Sequence, residues 1–234
     1  MYAIMKTIHY ILVFLAVTLA LAASCTKMND IHDEYLKNGP IIYVGRVDSM
    51  KVFSGDNRVQ VNYWITDPRA KDLCFYWNNN KDSARFSVPA HDPTEMQTVL
   101  IDPVAEGDYT FHVFSYDGKG HRSIRFEQAF SSYGEVYAST LNTRTVRSVS
   151  VQDGILNVSW GSSFSNREVG VEIRYTGTDG AEKTLFVPSA ELKNATVIEG
   201  ADLSRSLSYR TAYKPNEDAI DIFYSEAKTI PLPE

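Results

Sequence analysis

Three groups of residues in this 234-residue chain could do chemistry. The first is Leu21-Ala22-Ala23-Ser24-Cys25, a cysteine directly behind small residues at the end of an apolar leader. A thiol so placed is a point for attaching a lipid once the leader is cut, and Cys25 would then begin the mature protein. The second is Trp77-Asn78-Asn79-Asn80-Lys81-Asp82. An exposed Trp ring can stack on the apolar face of a sugar while neighbouring amides and carboxylates bond its hydroxyls, so Trp77, Asn78, Asn79 and Asp82 form a candidate ligand-binding set. The competing reading is a turn, because Asn and Asp tolerate left-handed backbone angles and the Trp ring could fold over a core. The third group, Tyr133, Tyr137, Arg144 and Arg147, flanks a domain junction, where it reads as interdomain packing or as one wall of a groove.

Motifs for catalysis are missing from the sequence. There is no His-Glu-x-x-His pair, no Gly-x-Ser-x-Gly elbow and no phosphate loop. The five histidines, His9, His32, His91, His112 and His121, are scattered, so neither a metal nor another cofactor is expected and the chain reads as non-enzymatic. Acids outnumber bases, 29 to 23. That balance repels phosphate backbones, so nucleic acid is not an expected partner. Only Cys25 and Cys74 are present, and a lipidated Cys25 leaves Cys74 without a partner, which excludes a disulfide scaffold. Cys74, inside the apolar run Leu73 to Trp77, reads as a buried, inert thiol.

These groups need elements to place them. Lys6 followed by the apolar run Ile11 to Ala23 is too short to span a bilayer as a helix and reads as an export signal, residues 1–24. Its end resembles the bacterial lipobox, with Ala22 where a Leu is usual. Residues 25–39, polar and carrying Asp30, Asp33 and Glu34, read as a lipidated tether or as a short helical turn that docks on the first domain. From Pro40 the pattern becomes short strands of alternating polarity separated by Gly, Pro, Asn and Asp, which predicts β-sandwiches. Val59, Val61 and Tyr63 alternate with Gln60, Asn62 and Trp64, so one face is buried. The second half repeats the first: Val146 to Trp160 parallels Val47 to Trp64, Gly170 to Tyr175 parallels Leu73 to Trp77, and Leu207 to Tyr213 parallels Tyr109 to Ser115. The expectation is an all-β chain of two tandem sandwiches, residues 40–140 and 141–234, joined by a linker within 139–145 too short to swing freely.

A Trp closing the second strand and aromatics alternating along the sixth resemble the fibronectin type III sandwich. Tyr109 matches its corner tyrosine, whose phenol would bond upstream backbone, while Leu207 stands at that place in the second copy. Further motifs are Glu34-Tyr35-Leu36, Ile42-Tyr43-Val44-Gly45-Arg46, Tyr76-Trp77-Asn78-Asn79, Asp82-Ser83, Glu106 to Phe111 and Tyr133-Gly134-Glu135-Val136-Tyr137. Behind Cys25 they resemble the Bacteroidota lipoproteins that carry domain of unknown function 4998, over most of residues 25–150. Tyr209 to Tyr213 and Ala219 to Tyr224 are similar to a second module that such proteins carry. The resemblance implies an envelope lipoprotein near outer-membrane nutrient-uptake systems, and it supplies no catalytic residues, since none are established for the family. The expected function is therefore a lipid-anchored protein of the outer membrane, facing the cell surface or the periplasm. It would bind glycan or serve uptake proteins, or else hold a partner protein as a structural module.

Overall fold

Alternation decides most of the architecture, because a strand that buries one face must place every second residue in the core. The computed structural model describes residues 43–233 together with His9. The leader, the cleavage point, Cys25 and the tether lie outside the described residues.

The first sandwich contains β1 (Ser49–Ser54), β2 (Val59–Trp64), β3 (Asp72–Trp77), β4 (Asp82–Ser87), β5 (Gln97–Ile101), β6 (Gly107–Tyr116) and β7 (Phe126–Ser132). All pairings are antiparallel, in the order β1-β2-β5 in one sheet and β4-β3-β6-β7 in the other. Between them Val61, Tyr63, Leu73, Phe75, Ile101 and Phe111 are buried. Phe111 stacks on Phe130 at 3.9 Å and meets Phe75 edge-on at 5.4 Å. A short helix, α1 (Glu135–Ser139), follows.

The second sandwich contains β8 (Val146–Gln152), β9 (Ile155–Trp160), β10 (Glu168–Thr176), β11 (Glu182–Pro188), β12 (Thr196–Ile198), β13 (Ser208–Tyr213), β14 (Phe223–Tyr224) and β15 (Lys228–Thr229). Its sheets run β8-β9-β12 and β11-β10-β13-β14, with β15 also on β13. The β8–β9 turn takes positive φ at Asp153 and Gly154, the geometry of a tight hairpin. A separate core gathers Leu156, Trp160, Ile173, Leu192, Tyr209 and Ile230. The final strand is split at Ser225, whose backbone N–H donates to the Thr211 carbonyl at 2.9 Å while its Oγ, in place of its carbonyl, accepts from Thr211 N–H at 2.9 Å.

Two expectations are corrected, the first by strand parity. Trp64 is not the counterpart of Trp160. On β2 the inward positions are Val59, Val61 and Tyr63, which leaves Trp64 half-buried on the outer face. On β9 they are Leu156, Val158 and Trp160, whose indole N–H donates to Thr196 Oγ1 at 2.8 Å. The corner tyrosines are also reversed. Among the described residues the Tyr109 hydroxyl makes no hydrogen bond; its ring lies 5.5 Å from that of Phe130 and its hydroxyl over Gly107. In the second copy, where Leu207 led to the expectation of none, Tyr209 donates to the Arg144 carbonyl at 2.9 Å and Tyr213 to the Asn142 carbonyl at 2.6 Å. With Thr143 Oγ1 donating to the Glu226 carbonyl, these bonds stitch the linker onto the second sandwich.

Candidate functional site

The connection Ser54-Gly55-Asp56-Asn57-Arg58 between β1 and β2 is a meeting point. Asn57 N–H donates to the Tyr133 carbonyl at 2.7 Å and Tyr133 N–H returns to the Gly55 carbonyl at 3.1 Å, which fixes the strand leading into α1. From the second sandwich, Ile220 N–H donates to the Ser54 carbonyl at 2.9 Å. Asp221 accepts from Asp56 N–H at 2.8 Å and from Arg58 Nε and a terminal nitrogen at 2.9 and 2.6 Å. Both carboxylate oxygens face one guanidinium, the fork that makes Arg–carboxylate pairs directional. Arg58 first, and then the Asp56 N–H, hold the Asp221 carboxyl below its usual range, against its partial burial. Gly55 is required by this approach, since a Cβ there would stand 2.5 Å from Asp221 Oδ2 and 3.0 Å from the Arg58 carbonyl oxygen.

Aromatic packing completes the seam. Tyr133 and Tyr137 lie 4.9 Å apart, and both meet Phe223 of β14, at 6.2 and 5.1 Å. Glu106 positions Tyr137 by capping α1: its two carboxylate oxygens accept from Val136 N–H and Tyr137 N–H at 2.8 and 2.7 Å. Tyr133 and Tyr137 therefore sit where the two sandwiches touch. Arg144 does not join them. It is buried in the second sandwich, paired with Glu168, and its Nε donates to the Gly161 carbonyl at 2.9 Å.

The candidate set around Trp77 is divided by the fold. Trp77 is 6 % exposed and edge-on to Phe111 at 5.8 Å, so of the two readings the sequence leaves open its ring follows the second, a core ring and not a stacking platform. The cause is parity again: Leu73, Phe75 and Trp77 share the inward face of β3. Only a margin of the ring, together with Asp82, borders a cleft of about 920 Å³ between the edge strands β4 and β5, near the exposed Leu100. Asn78 and Asn79 face another cleft, of about 460 Å³, with Asp108, Tyr109, His112 and Glu127. Asn78, Asn79 and Asn80 take φ of 51°, 55° and 61°, three successive left-handed residues, so the turn requires these side chains. Asn78 Nδ2 donates to Asp82 Oδ2 at 2.8 Å, and Asn80 Oδ1 accepts from His112 Nδ1 at 2.8 Å. Among the described residues no group of three or more His, Cys, Asp or Glu side chains is placed to hold a metal ion. Cys74 is buried, and burial pushes its thiol up.

The family model of domain of unknown function 4998 (DUF4998) matches residues 25–223. The chain belongs to the DUF4998 family. Its sandwiches are also similar to solved fibronectin type III structures. A two-domain segment of chicken tenascin shares 14 % identity over 81 % of this chain and 99 % of that one, with a TM-score of 0.33. The FN1-FN3 domains of chicken CNTN1 share 12 % over 80 % of this chain and 65 % of theirs, with a TM-score of 0.42. No curated protein matches the chain.

For this DUF4998 chain the residues missed by sequence reasoning are those of the seam. Arg58 and Asp221 lie 163 positions apart in two connections of ordinary turn composition, and nothing local to either marks the other. The aromatic part was legible as a cluster of Tyr, though Phe223 was not assigned to it.

Proposed function

We propose that the protein is a non-catalytic envelope lipoprotein, anchored by a lipid on Cys25, whose two sandwiches are joined without play and hold a protein partner of an outer-membrane uptake system. The observation that carries this reading is the seam. A carboxylate of the second sandwich closes on a guanidinium and a backbone N–H of the first, beside an additional backbone bond and three packed rings. Such a joint serves to keep a fixed distance and direction, which a spacer or docking module needs and an isolated sugar-binding domain does not. Among the described residues β4 pairs with β3 alone, so its other edge offers main-chain groups, and the cleft beside it offers Leu100 and the Trp77 margin to an apolar side chain of the partner. A glycan platform has less support, because Trp77 is covered and the exposed rings of Phe164 and Phe186 come from separate segments.

The test is a photo-crosslinking residue at Ser83 on β4, carried by the lipidated protein in intact cells. One discrete protein adduct, lost when the same probe is moved to the exposed Ser150 on β8, is the expected result. Absence of any adduct at Ser83 refutes the docking edge, and a Cys25→Ala variant that stays in the membrane fraction refutes the anchor.

A further inference from the structure

A cleft of about 560 Å³ opens in the second sandwich beside the Arg144–Glu168 pair. Arg144 is 7 % exposed and fixed on three sides: its backbone N–H donates to Thr211 Oγ1, Nε to the Gly161 carbonyl, and one terminal nitrogen to Glu168. The other terminal nitrogen has no hydrogen-bond partner among the described residues. No fully buried side-chain nitrogen or oxygen there is left unpaired, so this nitrogen is not fully enclosed, and Arg144 is one of the residues that line the cleft. Glu168 does not bond it: one of its oxygens accepts from the first terminal nitrogen and the other from Ser163 Oγ at 2.7 Å.

Two further cations border the cleft, Arg147 and Lys193, both exposed and without an ion pair among the described residues. Glu168 is the one acid in the lining and already neutralises Arg144, so the cleft carries an excess of positive charge in a chain of net charge −6. Ser162 and Asn166 add neutral donors and acceptors that have no side-chain hydrogen bond among the described residues. A rigid, nearly dry guanidinium with a free N–H, flanked by two cations, selects an oxyanion. The volume exceeds the needs of a bare ion and lies in the range of small-molecule sites, and the amide and hydroxyl at the rim suit the hydroxyls of a sugar.

We propose that this cleft binds an acidic saccharide, with its carboxylate on Arg144, Arg147 and Lys193 and its hydroxyls on Ser162 and Asn166. The full chain, purified in a non-ionic detergent, would be titrated calorimetrically with D-glucuronate, D-galacturonate, inorganic sulfate and D-glucose. At least one uronate is expected to bind saturably and about tenfold or more tighter than sulfate or glucose, a tenfold step being the usual unit of affinity. Added salt should weaken that binding, because the rim cations are exposed. The surface variant Arg147→Gln/Lys193→Gln should lose about tenfold or more in uronate affinity at an unchanged melting temperature. Sulfate binding as tightly as either uronate would reduce the site to a bare oxyanion site and overturn the saccharide. No saturable uronate binding, or binding unchanged in the variant, would overturn the proposal as a whole.

Discussion

Replacing Asp221 by Ala should uncouple the two sandwiches, and the structure sets the size of the effect. The carboxylate accepts three hydrogen bonds, two from Arg58 and one from Asp56 N–H. Shielded hydrogen bonds to a charge contribute about 1.5–3 kcal/mol each, but the Arg58 side chain is 38 % exposed. The pair therefore belongs near the top of the exposed range, about 1 kcal/mol. Asp56 is exposed, so water replaces the lost acceptor at its N–H and the total stays at about 1 kcal/mol. In a protein of this size each kcal/mol moves the melting temperature by about 2–4 °C, so calorimetry should show a fall of about 2–4 °C. Arg58→Ala should add little to Asp221→Ala, because both remove one interaction. Gly55→Ala should imitate the loss without removing a charge, since its Cβ would press on Asp221 and on the Arg58 carbonyl. The pH dependence has a definite sign. A carboxyl held below its usual value contributes fully above the unfolded value of about 3.9 and loses that contribution as pH falls through the lower folded value. Asp221→Asn should erase that acid-side step. An Asp221→Ala variant that melts with the parent, or effects of Arg58→Ala and Asp221→Ala that simply add, would refute the seam as a coupling element.

Trp77→Ala should destabilise the first sandwich by about 3–5 kcal/mol, as expected for emptying a core ring, measured by denaturant unfolding; a loss near zero would restore Trp77 to the surface. His91 sits with Nδ1 2.7 Å from the Pro89 carbonyl and Nε2 2.9 Å from the Ile65 carbonyl, so these two acceptors, Pro89 first, raise its pKa by favouring the doubly protonated ring. That stabilisation is complete below the unfolded value of about 6.5 and is lost as pH rises through the higher folded value; an NMR titration of the ring that reads 6.5 or less contradicts it. Cys74, buried with a raised pKa, should react with a thiol reagent only after unfolding, and rapid labelling of the native chain would show that β3 opens.

Strand positions were legible because alternation is a local property: Val59, Val61 and Tyr63 announce the inward face of β2 without any knowledge of the partner sheet. The same rule already placed Trp64 outward and Trp77 inward, with Leu73 and Phe75. Trp64 was matched to Trp160 on likeness to a fold, and of the two readings open for Trp77, sugar platform or core ring, parity selects the core. The turn at Asn78 to Asn80 was legible in the same local way, since three amides that can adopt left-handed angles stand in succession. The seam was not, because its energy comes from a contact across 163 residues between connections whose composition suits any turn.

Several motifs that carry the DUF4998 resemblance converge on that seam. Glu106 caps the helix whose Tyr137 packs on Phe223. Gly134 stands where a Cβ would come within 2.9 Å of both Asn57 Nδ2 and Glu106 Oε2. Ile220 and Asp221, from the run Ala219 to Tyr224, bond the β1–β2 connection. By contrast, the motif residues Trp77 and Asn78 serve the core and a turn of the first sandwich. These motifs encode a way of joining two sandwiches more than a way of holding a ligand. A chain with the seam motifs but an altered Asn78-Asn79-Asn80 turn should therefore keep the joint. Replacing Asn79 by Gly, which takes the left-handed angle without strain, should leave both the melting temperature and the Ser83 crosslink intact, and loss of either would show that the turn does more than turn.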